Sequence, residues 1–351
     1  MEIKELLQLA IDKRASDLLI VAGVPPTLRI DGVLYPIPNE GILTRDIIDK
    51  LVRDILPSGK LETLINNKEV DFSLPFSDKA RFRGNAYHQK NAPAIVFRRV
   101  PMDIPSIEQL HLPKILHSFT LLKQGFVLVT GPTGHGKSSA LAAMIEEINA
   151  TQGVHIVTVE DPVEFIFRPK KSVVSQREMG TDTLNWKIAL RSVLREDPNV
   201  VLIGEMRDYE TIAAALTIAE TGHLVFATLH TNSASQSIDR IVDVFPEEQQ
   251  AQVRLQLSNV LEAVFSMRLV AAIEGGRLPA YEVMLGTSAI KTVIRDGKSH
   301  QIDSIIVTSQ EAGMSTLEMS LANLVKEGRI TLDVAQTWAL RPEDLNRLAR
   351  T

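Results

Sequence analysis

Gly125-Phe-Val-Leu-Val-Thr-Gly-Pro-Thr-Gly-His-Gly-Lys-Ser-Ser139 is the stretch on which the fold turns. Its apolar opening, Phe126 to Val129, reads as a buried parallel strand. Gly131 to Ser138 then fit G-x-x-x-x-G-K-[ST], and strong helix formers follow from Ala140. Strand, glycine loop and helix come in the order a phosphate-binding loop needs. Glycines let backbone N–H groups turn inward as an anion nest, and the helix N-terminus adds partial positive charge. Thr133, Gly134, His135, Gly136, Lys137, Ser138 and Ser139 are the candidate phosphate contacts. Lys137 can reach the β/γ-phosphates, and the Ser138 hydroxyl suits Mg²⁺. The motif predicts a site for ATP and Mg²⁺.

The remainder of the chain sets limits on that reading. Its 351 residues exceed a typical single domain, so two or three are expected. A hydrophobic content of 44% and a charged content of 23% are ordinary for a globular protein with a sizeable core. The absence of cysteine excludes disulfides, cysteine-ligated zinc and thiol nucleophiles. A net charge of −5 weighs against direct nucleic-acid binding. No apolar run approaches a membrane span, and the opening Met1-Glu-Ile-Lys lacks signal-peptide form. The expectation is a soluble, cytoplasmic protein.

Residues 1–98 read as a small α+β domain with an antiparallel sheet. Ile3, Leu6, Leu7 and Ala10 recur at helical spacing. Thr27-Leu-Arg-Ile30 and Val33-Leu-Tyr35 flank Asp31-Gly32, a hairpin signal. Asp46 to Ile55 is helical, and Pro57-Ser-Gly59 breaks it. Along Ala80 to Tyr87 the alternation puts Arg81, Arg83, Asn85 and Tyr87 on one face and Phe82 and Ala86 on the other. Two arginines on one strand face fit a solvated edge that deters aggregation, or a pair of fingers reaching a phosphate on a neighbouring subunit. Residues 99–116, with Pro101, Pro105 and Pro113, read as a linker.

Residues 117–351 form the second expected domain. Val154 to Val159 is a strand ending in Glu160-Asp-Pro-Val-Glu164. Ligands of parallel α/β sheets lie beyond the strands' carboxyl ends, so Glu160 and Glu164 face the γ-phosphate and metal, unless they merely line an acidic turn. Val200 to Ile203 has the form of a Walker B strand, with Gly204 where many such ATPases carry aspartate. Glu205 then either polarises the attacking water or holds Mg²⁺ through water. Asp208 caps the next helix and Gly222 ends it. His223 to His230 is a further strand with histidine at each end, and His230 stands where a γ-phosphate sensor would. Pro246 suits a helix N1 position, with Val253, Leu257, Val260, Leu261, Val264 and Phe265 as one buried stripe. Tyr281 to Leu285 reads as a late strand, Ser315-Thr-Leu-Glu318 as a capping box, and Arg341, Arg347 and Arg350 as a solvated tail.

Four blocks together resemble the secretion ATPases of bacterial pili and type II export, and within them the pilus-retraction branch. They are the phosphate loop at 131–138, Thr158 to Phe165 (similar to the family's Asp box), Leu194 to Asp208 (its Walker B segment) and Thr221 to His230 (its His box). The Ala15-Ser-Asp-Leu18, Arg81-Phe-Arg-Gly-Asn85 and Gly313-Met-Ser-Thr-Leu317 segments extend the likeness over nearly the whole chain. The resemblance implies a RecA-like P-loop ATPase core with a smaller PAS-like N-terminal domain, assembled as a homohexamer. It implies nucleotide held between the two domains, with Arg81, Arg83 and a third candidate, Arg98, helping to hold it. It further implies ATP hydrolysis coupled to domain rotation about 99–116, acting on an inner-membrane pilus platform protein. A paralogous pilus ATPase is a further implied partner, and contact with the inner face of the membrane would run through partners only.

The absence of cysteine and of an added N-terminal domain favours retraction over extension. Departures from the family's pattern are His135 and Ser139 in the loop, Leu19 for a histidine, and Ala289-Ile-Lys-Thr-Val-Ile-Arg-Asp296 where retraction motors often carry Ala-Ile-Arg-Asn-Leu-Ile-Arg-Glu. They leave open an auxiliary retraction paralogue. Two other readings are an ATPase of the same fold serving export, DNA uptake or conjugation, and a nucleotide-binding regulator without turnover. Which glutamate is the general base stays open, because all end strands on the same edge.

Overall fold

A computed structural model describes residues 2–30, 32–76, 80–100 and 103–350, and the chain divides into two compact units, 1–103 and 104–351. The first contains α1 (Ile3–Asp12), β1 (Asp17–Ile20), β2 (Thr27–Ile30), β3 (Val33–Pro36), α2 (Arg45–Ile55), α3 (Ser58–Asn67), β4 (Glu69–Phe76), β5 (Ala80–Gln89) and β6 (Ala92–Val100). Its strands make one antiparallel sheet in the order β3-β2-β1-β6-β5-β4. β5 alternates as its sequence demands, with Phe82 and Ala86 buried and Arg81, Arg83 and Asn85 half-exposed. Asp31 of the expected hairpin lies outside the described residues, but β2 and β3 pair on either side of it. Pro57 does end α2, yet Ser58 begins α3 at once, since proline's fixed φ and missing N–H cost nothing before a first turn.

The second unit contains α4 (Leu116–Thr120), β7 (Gly125–Thr130), α5 (Lys137–Thr151), β8 (His155–Glu160), β9 (Val173–Glu178), α6 (Trp186–Val193), β10 (Val200–Ile203), α7 (Tyr209–Glu220), β11 (Leu224–Leu229), α8 (Ala234–Asp243), α9 (Glu247–Val260), β12 (Leu261–Ala271), β13 (Arg277–Leu285), α10 (Ser288–Arg295), α11 (Ile302–Thr308), α12 (Leu317–Lys326), α13 (Leu332–Trp338) and α14 (Pro342–Arg350). The sheet order is β13-β12-β7-β11-β10-β8-β9, parallel throughout except for β13 at its edge. Apolar clusters cover both faces, as a parallel sheet requires. Within 99–116, Arg99 and Val100 belong to β6, Pro101 lies outside the described residues, and Ile107, Leu112 and Leu116 are buried in the second unit's core.

Four local expectations need correction. The stripe from Val253 to Phe265 is not one helix: α9 stops at Val260, and Leu261, Val264 and Phe265 belong to β12. β12 lies between β7 and β13 with both faces buried, so its unbroken apolar run imitates helical spacing. Pro246 is the residue before α9 rather than its first. Thr316, not Ser315, caps α12 through its hydroxyl to Met319 N–H, and Glu318 turns inward. The tail is not uniformly solvated, because Arg341 pairs with buried Glu318 at 3.0 Å and with Asp303 at 2.6 Å. Among the described residues no helix is long and apolar enough to cross a membrane.

Candidate functional site: the phosphate loop and its strand-end partners

Sheet order explains which residues meet. β7, β11, β10 and β8 are consecutive neighbours, so the segments leaving their carboxyl ends stand in a row. Those segments carry the glycine loop, His230, Glu205 and Glu160 respectively.

The loop rests on β12. Gly131 has φ +140°, and a Cβ there would stand 2.2 Å from Met267 O, so only glycine allows the approach. Gly134 and Gly136 also have positive φ, at +78° and +88°. Lys137 opens α5 and is buried. Its Nζ donates to Gly131 O at 2.8 Å and Pro132 O at 3.0 Å, curling back over the loop that phosphates would fill. Burial lowers its pKa, opposed by the charges of Glu205 and Glu164.

A polar relay crosses the strand ends. Thr133 Oγ1 lies 3.1 Å from His230 Nδ1, and Lys137 Nζ lies 3.4 Å from the same nitrogen. His230 Nε2 reaches Glu205 Oε1 at 3.1 Å, and Arg207 donates to Glu205 Oε2 at 2.8 Å. A proton on Nε2 satisfies every contact of the ring. Burial pushes the Glu205 carboxyl up, but the hydrogen bonds from Arg207 and His230 and the charge of Arg207 outweigh it and leave it below the ordinary range. Glu205 is thus an ionised acceptor facing a lysine and a histidine.

Glu160 differs. It is buried, accepts from Thr158 Oγ1 at 2.7 Å and Gln176 Nε2 at 3.4 Å, and burial holds its pKa high. It receives the Glu164 N–H at 3.4 Å, so it ties the acidic turn to β8. Glu164 itself is exposed and adds its charge near Lys137.

His135 contributes to the loop in another direction. Its Nδ1 accepts the Leu269 N–H at 2.9 Å, so its side chain is committed to β12. The Ser138 hydroxyl, half-buried on the first turn of α5, remains a candidate for Mg²⁺. No cluster of three or more His, Cys, Asp or Glu suited to a metal occurs among the described residues. Mg²⁺ keeps several waters and takes few protein ligands beside phosphate oxygens, so a single hydroxyl on the first turn after the loop suits it. His223, at the far end of β11, bonds Ile218 O and Thr221 and takes no part.

In the first unit, direct cross-strand partners align Arg83, Arg98, Asp17 and Arg29 across β5, β6, β1 and β2. Asp17 is buried and pairs with Arg98 at 2.9 Å and Arg29 at 3.7 Å. Arg81 donates to Ser73 Oγ at 3.2 Å. By register the row sets Asp17 among three guanidinium groups. Arg207 was not singled out from sequence, although it follows Glu205 by two residues. Arg268, Arg277 and Trp338, which surround His135, carry no local signal.

Comparison with known proteins decides the family. The model of the type II/IV secretion system protein family matches residues 3–336. The chain belongs to this family of secretion ATPases. It is 46% identical over 344 residues to the type IV pilus retraction ATPase PilT of Pseudomonas aeruginosa, covering 98% of this chain and all of that one. The type IV pilus ATPase PilU of the same organism is 38% identical, covering all of this chain and 92% of the relative. The crystal structure of the pilus retraction motor PilT with bound ADP superposes with a TM-score of 0.93 at 43% identity, covering 99% of each chain. The fold of this secretion ATPase is therefore α/β, with an N-terminal domain and a RecA-like ATPase domain.

Proposed function

We propose that this secretion ATPase hydrolyses ATP to power type IV pilus retraction. The relay joining Lys137, Thr133, His230, Glu205 and Arg207 carries the reading. A chain that only bound nucleotide would need the loop and lysine but not an ionised carboxylate held against a histidine at the neighbouring strand ends. The greater identity to PilT, 46% against 38% for PilU, favours the main motor over the auxiliary paralogue.

In this reading loop N–H groups and Lys137 bind the phosphates of ATP, and Lys137 leaves Gly131 O and Pro132 O to do so. Ser138 and, through water, Glu205 would hold Mg²⁺, which would supply charge neutralisation at the phosphates. Glu205 accepts the proton of the attacking water through the oxygen it shares with His230, while Arg207 keeps the carboxylate oriented. His230 and Thr133 sense the outer phosphate. Glu160 stays a structural acid, and Glu164 completes the field around Lys137. Arg81 and Arg83 act as fingers on the phosphates bound by a neighbouring subunit. The assembly is a homohexamer, with residues 1–98 as its PAS-like domain and hinging in the stretch 99–116. It docks on the inner-membrane platform protein from the cytoplasmic side and can share that platform with a paralogous ATPase.

Steady-state phosphate release beside Glu205→Gln tests this. Wild type should turn over, while the variant keeps nucleotide affinity and loses at least about a hundredfold in kcat, the scale of general-base loss. Wild-type protein that binds ATP yet releases no phosphate would sink the motor reading.

A further inference from the structure

His135 is the one non-glycine residue between Gly134 and Gly136, and its side chain leaves the loop on the side of β12. Besides accepting the Leu269 N–H, its ring stands edge-on to Trp338 at a centroid distance of 5.0 Å and an interplanar angle of 67°. Trp338 is the last residue of α13, and its carbonyl accepts from Arg268 Nη1 of β12 at 2.6 Å. Arg277 of β13 donates to Gly134 O at 3.4 Å. The loop is thus fastened from outside by β12, β13 and α13 through adjacent residues. α13 in turn packs with α12 and α14 in one apolar cluster that includes Val270 and Leu278.

We propose that His135 is a positioning residue that couples the phosphate loop to the C-terminal helices, through Leu269 N–H and the Trp338 ring. The inference rests on the reading that the loop holds nucleotide phosphates. Its physical basis is the folded-back lysine. Lys137 now bonds two loop carbonyls, and phosphate oxygens offer it stronger, charge-assisted partners. Released carbonyls and recruited N–H groups re-aim the loop, and the flanking glycines have the backbone freedom to follow. His135 is the lever by which that movement leaves the loop, because its edge contact with Trp338 depends on ring orientation. Burial and the charges of Arg277, Arg268 and Lys137 lower its pKa, which keeps Nδ1 free to accept at neutral pH.

The chain has two tryptophans, Trp186 and Trp338, so a Trp186→Phe background makes emission a reading of Trp338 alone. ADP and ATP are titrated into the full chain, with binding followed independently by calorimetry. Trp338 emission should change saturably, with the midpoint that calorimetry gives. His135→Ala should abolish that change and weaken nucleotide binding about fivefold, the loss of one loop hydrogen bond. His135→Asn can still accept the Leu269 N–H but has no ring. It should restore affinity while leaving the Trp338 response cut by at least half, a split that guards against a misfolded alanine variant. Saturating nucleotide that leaves Trp338 emission unmoved overturns the inference, as does an undiminished response in His135→Asn. If calorimetry finds no binding at all, the underlying reading falls first.

Discussion

A methyl group at position 204 would stand 3.2 Å from Glu160 Cα and 3.5 Å from Glu160 Cγ. That contact explains why this chain has glycine at the end of β10 where many P-loop ATPases have aspartate. Glu160 already occupies the ground between β8 and β10, protonation-prone and fully bonded. Gly204→Asp should therefore do harm rather than restore a common motif. A side chain there crowds Glu160, and overpacking alone costs about 1–3 kcal/mol. Urea denaturation should show the loss, with phosphate release falling in parallel; an active, equally stable Gly204→Asp protein would refute the packing argument. Much at this scale was legible in the chain. Lys137, Ser138, Glu205 and His230 sit in short motifs whose chemistry depends on local spacing. The direction of His135 was not legible, because its partner Leu269 lies 134 residues away and is a backbone group that any residue would supply.

Single elements show where sequence periodicity misleads. β12 is apolar on both faces because β7 and β13 flank it and core covers it, so its pattern has no period to read. Beside it, β13 carries Glu282 into the interior, where one oxygen accepts the Ala234 N–H at 2.6 Å and the other has no hydrogen-bond partner. Burial, reinforced by Asp303 and Glu318, pushes its pKa up to about 7, against the pull of the Ala234 N–H and Arg341. The sign follows from linkage. A carboxyl of raised pKa keeps its proton in the folded state where the unfolded chain has lost it. Its stabilising share is complete below about pH 4.5 and is lost as pH rises through about 7. Wild-type protein should lose stability relative to Glu282→Gln between pH 5 and 8, by on the order of 3 kcal/mol. Urea titrations at several pH values measure it, and parallel pH profiles for the two proteins would contradict it.

For the whole molecule, the two sheets gather different residues. The parallel sheet aligns loop, histidine and glutamate by strand order alone, and that part followed from strand–loop–helix succession in the sequence. The antiparallel sheet lays Arg83, Arg98 and Arg29 in one row with buried Asp17, a juxtaposition set by register between strands far apart in the chain. Alternation along β5 exposed the face of Arg81 and Arg83; nothing local could reveal the row. If Arg81 and Arg83 serve the nucleotide of a neighbouring subunit, sites in the ring are shared property, and two dead proteins can repair each other. An Arg81→Ala, Arg83→Ala double variant keeps its loop but lacks fingers, while Lys137→Ala keeps its fingers but lacks the loop lysine. Each alone should release phosphate at background rate. Mixed in equal amounts and allowed to exchange subunits, they should pair an intact loop with intact arginines at about a quarter of the head-to-tail interfaces of a closed ring. Activity should then rise to a fraction of wild type on mixing. Mixtures that exchange subunits yet stay silent would place the arginines and the lysine in service of the same subunit's nucleotide, and the division of labour would run within each chain instead of around the ring.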